Sequence, residues 1–199
     1  MKSACALFFL VLMLSLVAGC SKRVMIVNRG HLIAQQVPTL GAIHPYPGLP
    51  IEHEDGPLLA VFLSSNEDID RLSRKLTHHL YFELLPCSQT AHGPSLFEGT
   101  VFMATQDERQ KWLASSELTS KNLYKVYVPL DGHRIMKSLV DYRTLDVPRY
   151  LETSRQDGLC LRLGGGQMYG ASLFSNLVSA PLSLQGTSLI VIDGPQPKK

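Results

Sequence analysis

The chain alternates between apolar runs and turn-rich breaks, and the runs differ in period. LLAVFLSS (58–65) is a continuous apolar stretch bounded by turn residues, which predicts a buried strand. Ser64, Ser65 and Asn66 follow, with Glu67 and Asp68 next, the composition of a helix N-terminus. Ile69, Leu72, Leu76 and Leu80 then recur at helical spacing, so a helix is predicted over about 66–84, ended by Pro86. FEGTVFMAT (97–105) reads as a strand. Thr105 and Glu108 have the spacing of a capping box before a second helix over about 107–117. NLYKVYVPL (122–130) sets Tyr124, Val126 and Val128 against Lys125 and Tyr127, the alternation of a half-buried strand. Ile135, Met136, Leu139 and Val140 suggest a short helix over 133–142.

From residue 157 to 184 the pattern is that of a β-hairpin, with Leu159, Leu161 and Leu163 on one face and Cys160 and Arg162 on the other. SLIVID (188–193) predicts a last strand and 195–199 a frayed tail. The expected fold is α+β, an antiparallel sheet with two or three helices, because regular β-α-β alternation is missing after the first unit. A mainly-β sandwich is the alternative, because the helical stretches at 107–117 and 133–142 are short.

The first 57 residues differ from the rest. Lys2 precedes an almost wholly apolar run over 4–16, the pattern of a secretory signal and too short for a spanning helix of ~20 residues. Leu16-Val17-Ala18-Gly19-Cys20 resembles a bacterial lipobox. The resemblance covers only the start of the chain and marks a class, not a domain family. It implies cleavage before Cys20, removal of 1–19 as signal peptide, and acylation of Cys20, since two or three acyl chains anchor a protein where one does not. Ser21 stands where an inner-membrane retention Asp would be, which by the same resemblance implies the outer membrane, facing the periplasm. Residues 20–57 are expected to be a lipidated N-terminus and tether, with a short strand over 24–27. Prolines 38, 45, 47, 50 and 57 preclude a helix or central strand across 37–57. The alternative is an arm docked on the domain through Ile33, Leu40, Ile43, Leu49 and Ile51. One folded domain is expected over 58–194, long enough for its own core.

Charge changes the picture little. With Lys2 lost in the signal, 18 basic and 17 acidic side chains remain, and no basic or acidic block points to nucleic acid. The four cysteines say more. Cys5 leaves with the signal and Cys20 takes lipid, so Cys87 and Cys160 remain as a pair, read as a disulfide in an oxidising periplasm. The alternative is two buried free thiols.

The motif with the strongest chemical suggestion is LRLGGGQMYG (161–170). A P-loop needs Lys-Ser/Thr after its last glycine, but Ala171 and Ser172 follow Gly170. A dinucleotide fingerprint needs Gly170 one residue earlier. Nucleotide binding is therefore not expected. The glycines are expected to supply positive φ in a hairpin turn. Gln167, Met168 and Tyr169 at its tip are the candidate recognition loop.

Gly170-Ala171-Ser172-Leu173-Phe174 lacks the second glycine of a nucleophile elbow, and no serine has lysine three residues on. His78 and His79 are adjacent and diverge on a helix, and no histidine pair has i, i+4 spacing. His53 among Glu52, Glu54 and Asp55 reads as a polar loop, and the acids at 67, 68 and 70 suit a helix N-terminus. No catalytic residue, metal site or cofactor is assigned. The expected role is a lipid-anchored, periplasm-facing, non-enzymatic protein that holds or inhibits a protein partner, for example an immunity lipoprotein. The alternatives are a peptidoglycan-acting enzyme and a structural subunit of an envelope assembly.

Overall fold

The computed structural model describes residues 22–38, 41–43, 56–76, 80–88, 95–114, 122–135, 147–166, 172–186 and 188–192. Its strands are β1 (Lys22–Val24), β2 (Ile26–Ala34), β3 (Leu58–Ser65), β4 (Leu80–Pro86), β5 (Phe97–Met103), β6 (Leu123–Pro129), β7 (Leu159–Gly166), β8 (Ser172–Ser175), β9 (Val178–Ser179), β10 (Leu182–Gln185) and β11 (Ser188–Val191). Its helices are α1 (Ile69–Leu76), α2 (Gln106–Trp112) and α3 (Val147–Asp157), with one further helical turn at 132–135.

The α+β expectation does not hold. The molecule is β-rich, built on one curled nine-stranded sheet with short helices around it and a two-stranded ribbon, β10–β11. Along the sheet the order is β1-β8-β7-β4-β5-β6-β3-β2, with β9 beside β7. Nor does it divide into the two separate sheets of a sandwich. β5 pairs with β4 through Phe97–Thr100 and with β6 through Val101–Met103, so one strand carries the sheet round a corner.

The two ends of the path, β1 and β2, are separated in the chain by Met25 alone. Residues 22–34 therefore belong to both ends: the first part pairs in parallel with β8, the second antiparallel with β3. The sheet curls until its ends meet on this stretch. The folded body thus takes in residues assigned by pattern to the tether. The proline-rich stretch over 44–55 lies outside the described residues.

β3 is buried on both faces, which accounts for its unbroken apolar run. Leu59, Val61 and Leu63 enter the main core with Phe82, Leu84, Val101, Tyr124, Val126, Leu161 and Leu163. Ala60 and Phe62 point the other way, into a second cluster with Trp112, Leu113 and Leu123. Phe62 and Trp112 stack with ring centroids 4.6 Å apart. Each large apolar side chain withdrawn from water in this way contributes roughly 1.5–3 kcal/mol.

Helix α2 begins as the sequence predicts. The Thr105 hydroxyl accepts from Glu108 N–H, and the Glu108 carboxylate accepts from Thr105 N–H. The first helix is shorter than predicted. Asp68, not Ser64 or Ser65, caps it by accepting from Arg71 N–H, and it ends at Leu76. Leu80 onward is strand β4, because Leu80, Phe82 and Leu84 satisfy period two as well as helical spacing, and pairing with β5 and β7 decides between them. Helix α3 has no counterpart in the sequence reading. Its apolar face is thin, Tyr150 and Leu151, and it opens on Val147-Pro148, with proline suited to a first helical turn. Beyond 135, the helix expected over 133–142 lies outside the described residues.

Candidate functional site

The N-terminal strand changes partners over three residues, and that change creates the seam of the sheet. Asn66 takes both main-chain groups of Met25: its Oδ1 accepts from Met25 N–H at 2.9 Å and its N–H donates to Met25 O at 3.1 Å. Asn176 does the same for Ile26 with its side chain alone. Its Oδ1 accepts from Ile26 N–H at 2.7 Å, and its Nδ2 donates to Ile26 O at 3.0 Å. Asn176 N–H donates to Val24 O at 3.3 Å. The two asparagines stand in for the strand neighbours that Met25 and Ile26 would otherwise leave unsatisfied.

Beyond Ile26 the seam opens. β2 has β3 as its strand partner and β9 has β7, and across the gap Asn28 Nδ2 donates to Ser179 O at 2.9 Å. Between these edges lies a groove of about 450 Å³, lined on β2 by Ile26, Val27, Asn28, Gly30 and His31, and opposite them by Val178–Pro181 and Ile192. Its rim is apolar and open to solvent: Val27 is 51% exposed and Ile192 50%. Its polar groups are Asn28, Ser179 and His31. Burial pushes the His31 imidazole below its ordinary pKa, which favours the neutral ring. Among the described lining residues none carries a fixed charge.

A bulge shapes its floor. The register of β2 on β3 shifts between Asn28 and Gly30, and Gly30 takes φ of +145° with its N–H on Asn28 Oδ1. A side chain at Gly30 would run into the Trp112 ring, so this position requires glycine for both conformation and space.

The glycine run at 164–166 is strand, not turn, and none of the three residues has positive φ. Gly164 lies opposite Tyr81 on β4, and a Cβ there would come within 2.7 Å of the tyrosine ring. Gly164 serves close packing across the strand, and the strand conformation of all three corrects the positive-φ turn expected from sequence. Gln167, Met168 and Tyr169 lie outside the described residues, as does Cys20; Gly166 and Ser172, which flank the loop, pair with each other. His44, His53, His78 and His79 also lie outside them.

Cys87 and Cys160 form a disulfide, with Cα atoms 4.9 Å apart. It joins the end of β4 to the start of β7, two adjacent strands, rather than a helix to the sheet. Two of the ion pairs among the described residues involve buried side chains. Arg162 on β7 meets Glu83 on β4 at 2.6 Å, with both side chains buried and the residues directly opposite in register. Lys125 on β6, also buried, donates to both Glu108 carboxylate oxygens at 2.9 Å. Burial alone would raise the Glu108 carboxyl, but the Lys125 and Thr105 hydrogen bonds outweigh it and hold it below its usual range. The Tyr124 phenol is pushed up to about 12 by burial, and its oxygen accepts from Ile69 N–H at 2.9 Å. Each of these groups is engaged in holding elements together. Among the described residues no three His, Cys, Asp or Glu side chains are placed to share a metal ion.

Of the β2 residues that line the groove, Ile26 and Val27 fall in the short strand expected over 24–27, whereas Asn28, Gly30 and His31 were read as tether because of the prolines further on. VMIVNRGHLIA (24–34) contains no proline and alternates at its start, Val24 and Ile26 buried, Met25 and Val27 exposed, which is the signal that marks a strand there. No family model, curated protein or solved structure matches this chain. Among the described residues no helix is long and apolar enough to cross a membrane.

Proposed function

We propose that this chain is a lipid-anchored protein of the bacterial cell envelope, outer-membrane-bound and facing the periplasm, that holds a protein partner and performs no chemistry on it. Lipid at Cys20 supplies the anchor, and the lipobox LVAGC supports it. The Cys87–Cys160 disulfide suits the oxidising compartment this implies. An immunity lipoprotein is one form such a role takes.

The observation that carries the binding reading is the seam groove. It lies between the edges of β2 and β9, has an apolar rim, and none of its described lining residues carries a fixed charge. A strand edge offers main-chain donors and acceptors to an extended segment, and apolar rims favour its side chains. The partner therefore contributes an extended, uncharged stretch that lies along β2.

Photo-crosslinking tests this in cells. With a benzophenone side chain at Val27 or at Ile192, both positions are expected to capture the same protein, through sites within one short segment of it. The same probe at Lys111 on α2 is expected to capture neither. No adduct from the two rim positions, or the same adduct from Lys111, would count against the groove.

A further inference from the structure

Lys22 is the first residue of a fixed strand. β1 is matched residue for residue with β8, Lys22 to Leu173, Arg23 to Phe174 and Val24 to Ser175, and Asn66 and Asn176 lock the two residues that follow. Cys20 lies two residues upstream, and two residues of extended chain reach at most ~7 Å. A lipidated Cys20 therefore cannot hold the body off on a long tether. The surface around β1 must meet the bilayer.

That surface has the chemistry for it. Val24 and Ile26 turn into the core, so Arg23, Met25 and Val27 form the outward row. Met25 is 50% exposed, and beside Arg23 on the neighbouring strand Phe174 is 37% exposed. Lys22 is balanced by Glu67 at 3.0 Å, which leaves Arg23 as the exposed cation of the row. A cation flanked by apolar side chains, on a rigid strand, matches the headgroup region of an anionic membrane.

We propose that Arg23, Met25 and Phe174 form a membrane-docking face that lays the body directly on a phospholipid surface. This rests on the lipidation of Cys20 proposed above. Val27 stands at the edge of the face, so the seam groove opens beside the membrane and receives its partner there.

The test uses the full acylated protein in vesicles of phosphatidylethanolamine and phosphatidylglycerol. Nitroxide labels are placed singly at Met25→Cys, Phe174→Cys and Lys111→Cys, and collision with oxygen is compared with collision with a water-soluble nickel chelate. The oxygen-to-nickel ratio is expected to be several-fold higher at 25 and 174 than at 111. Two label sites on the face keep the result readable if one variant folds poorly. Equal ratios at all three sites on vesicle-bound protein would overturn docking while leaving the anchor intact. Purified protein without acyl groups on Cys20 would overturn both.

Discussion

Three glycines in this fold each lie beneath an aromatic ring from another element: Gly30 under Trp112, Gly99 under Phe82 and Gly164 under Tyr81. A ring fills the space that a missing side chain leaves, and this couples the residues pairwise. The pairs were not legible in sequence, because Gly30 and Trp112 are joined only when β3 brings β2 and α2 together. The Thr105–Glu108 box was legible, since both ends of it lie within one helical turn. Its second partner, Lys125, was not.

Glu108 both caps α2 and neutralises a buried lysine. Glu108→Ala is therefore expected to lower stability by about 2–4 kcal/mol, the cap lost and the Lys125 charge left unpaired. Glu108→Gln combined with Lys125→Met is expected to cost less than Glu108→Ala alone, since no buried charge remains. The pH dependence has a definite sign. The folded-state pKa of Glu108 lies below its unfolded value, so its contribution is complete above about 4.5 and is lost as pH falls through the folded pKa. Denaturant melts of wild type and double variant between neutral pH and pH 3 check this: the acid-side loss is expected to be shallower in the double variant.

At the scale of elements, β3 and β6 follow from pattern because their apolar periods admit one reading each. The segment over 66–84 admitted two, and long-range pairing chose helix for its first part and strand for its last. Of the N-terminal strand only 24–27 was expected; its run to Ala34 was masked by the prolines that come after it, and its two halves pair with strands far apart in the chain. Its closure of the sheet depends on Asn176, which supplies both main-chain partners of Ile26. Asn176→Ala leaves those groups in a buried seam with neither bond, at a cost of about 1–3 kcal/mol for each unsatisfied group. Amide hydrogen exchange is expected to show residues 24–28 losing protection in this variant while β3 and β6 keep theirs. Uniform loss across all three would mean that the seam and the main core open as one unit.

At the scale of the whole molecule, the placement of residues 22–34 changes what a lipid anchor would do. A protein on a tether reaching to residue 57 would survey the space above the membrane. With Cys20 lipidated as proposed, the first strand would begin two residues after the anchor and hold the body at the surface, with the mouth of its groove beside the bilayer. The paired cysteines were legible from counting, because removing Cys5 and Cys20 left two. The curled sheet was not, since it depends on β5 and the N-terminal strand each serving two neighbours, a relation with no local signature. The proposed anchor underlies both the proposed binding role and the proposed docking face, so its covalent chemistry is the decisive quantity. Mass analysis of the N-terminal peptide of the protein purified from membranes measures it. The expected result is a chain that begins at Cys20 and carries acyl groups on that residue; an unmodified Cys20, or a chain cleaved elsewhere, would contradict the lipid anchor.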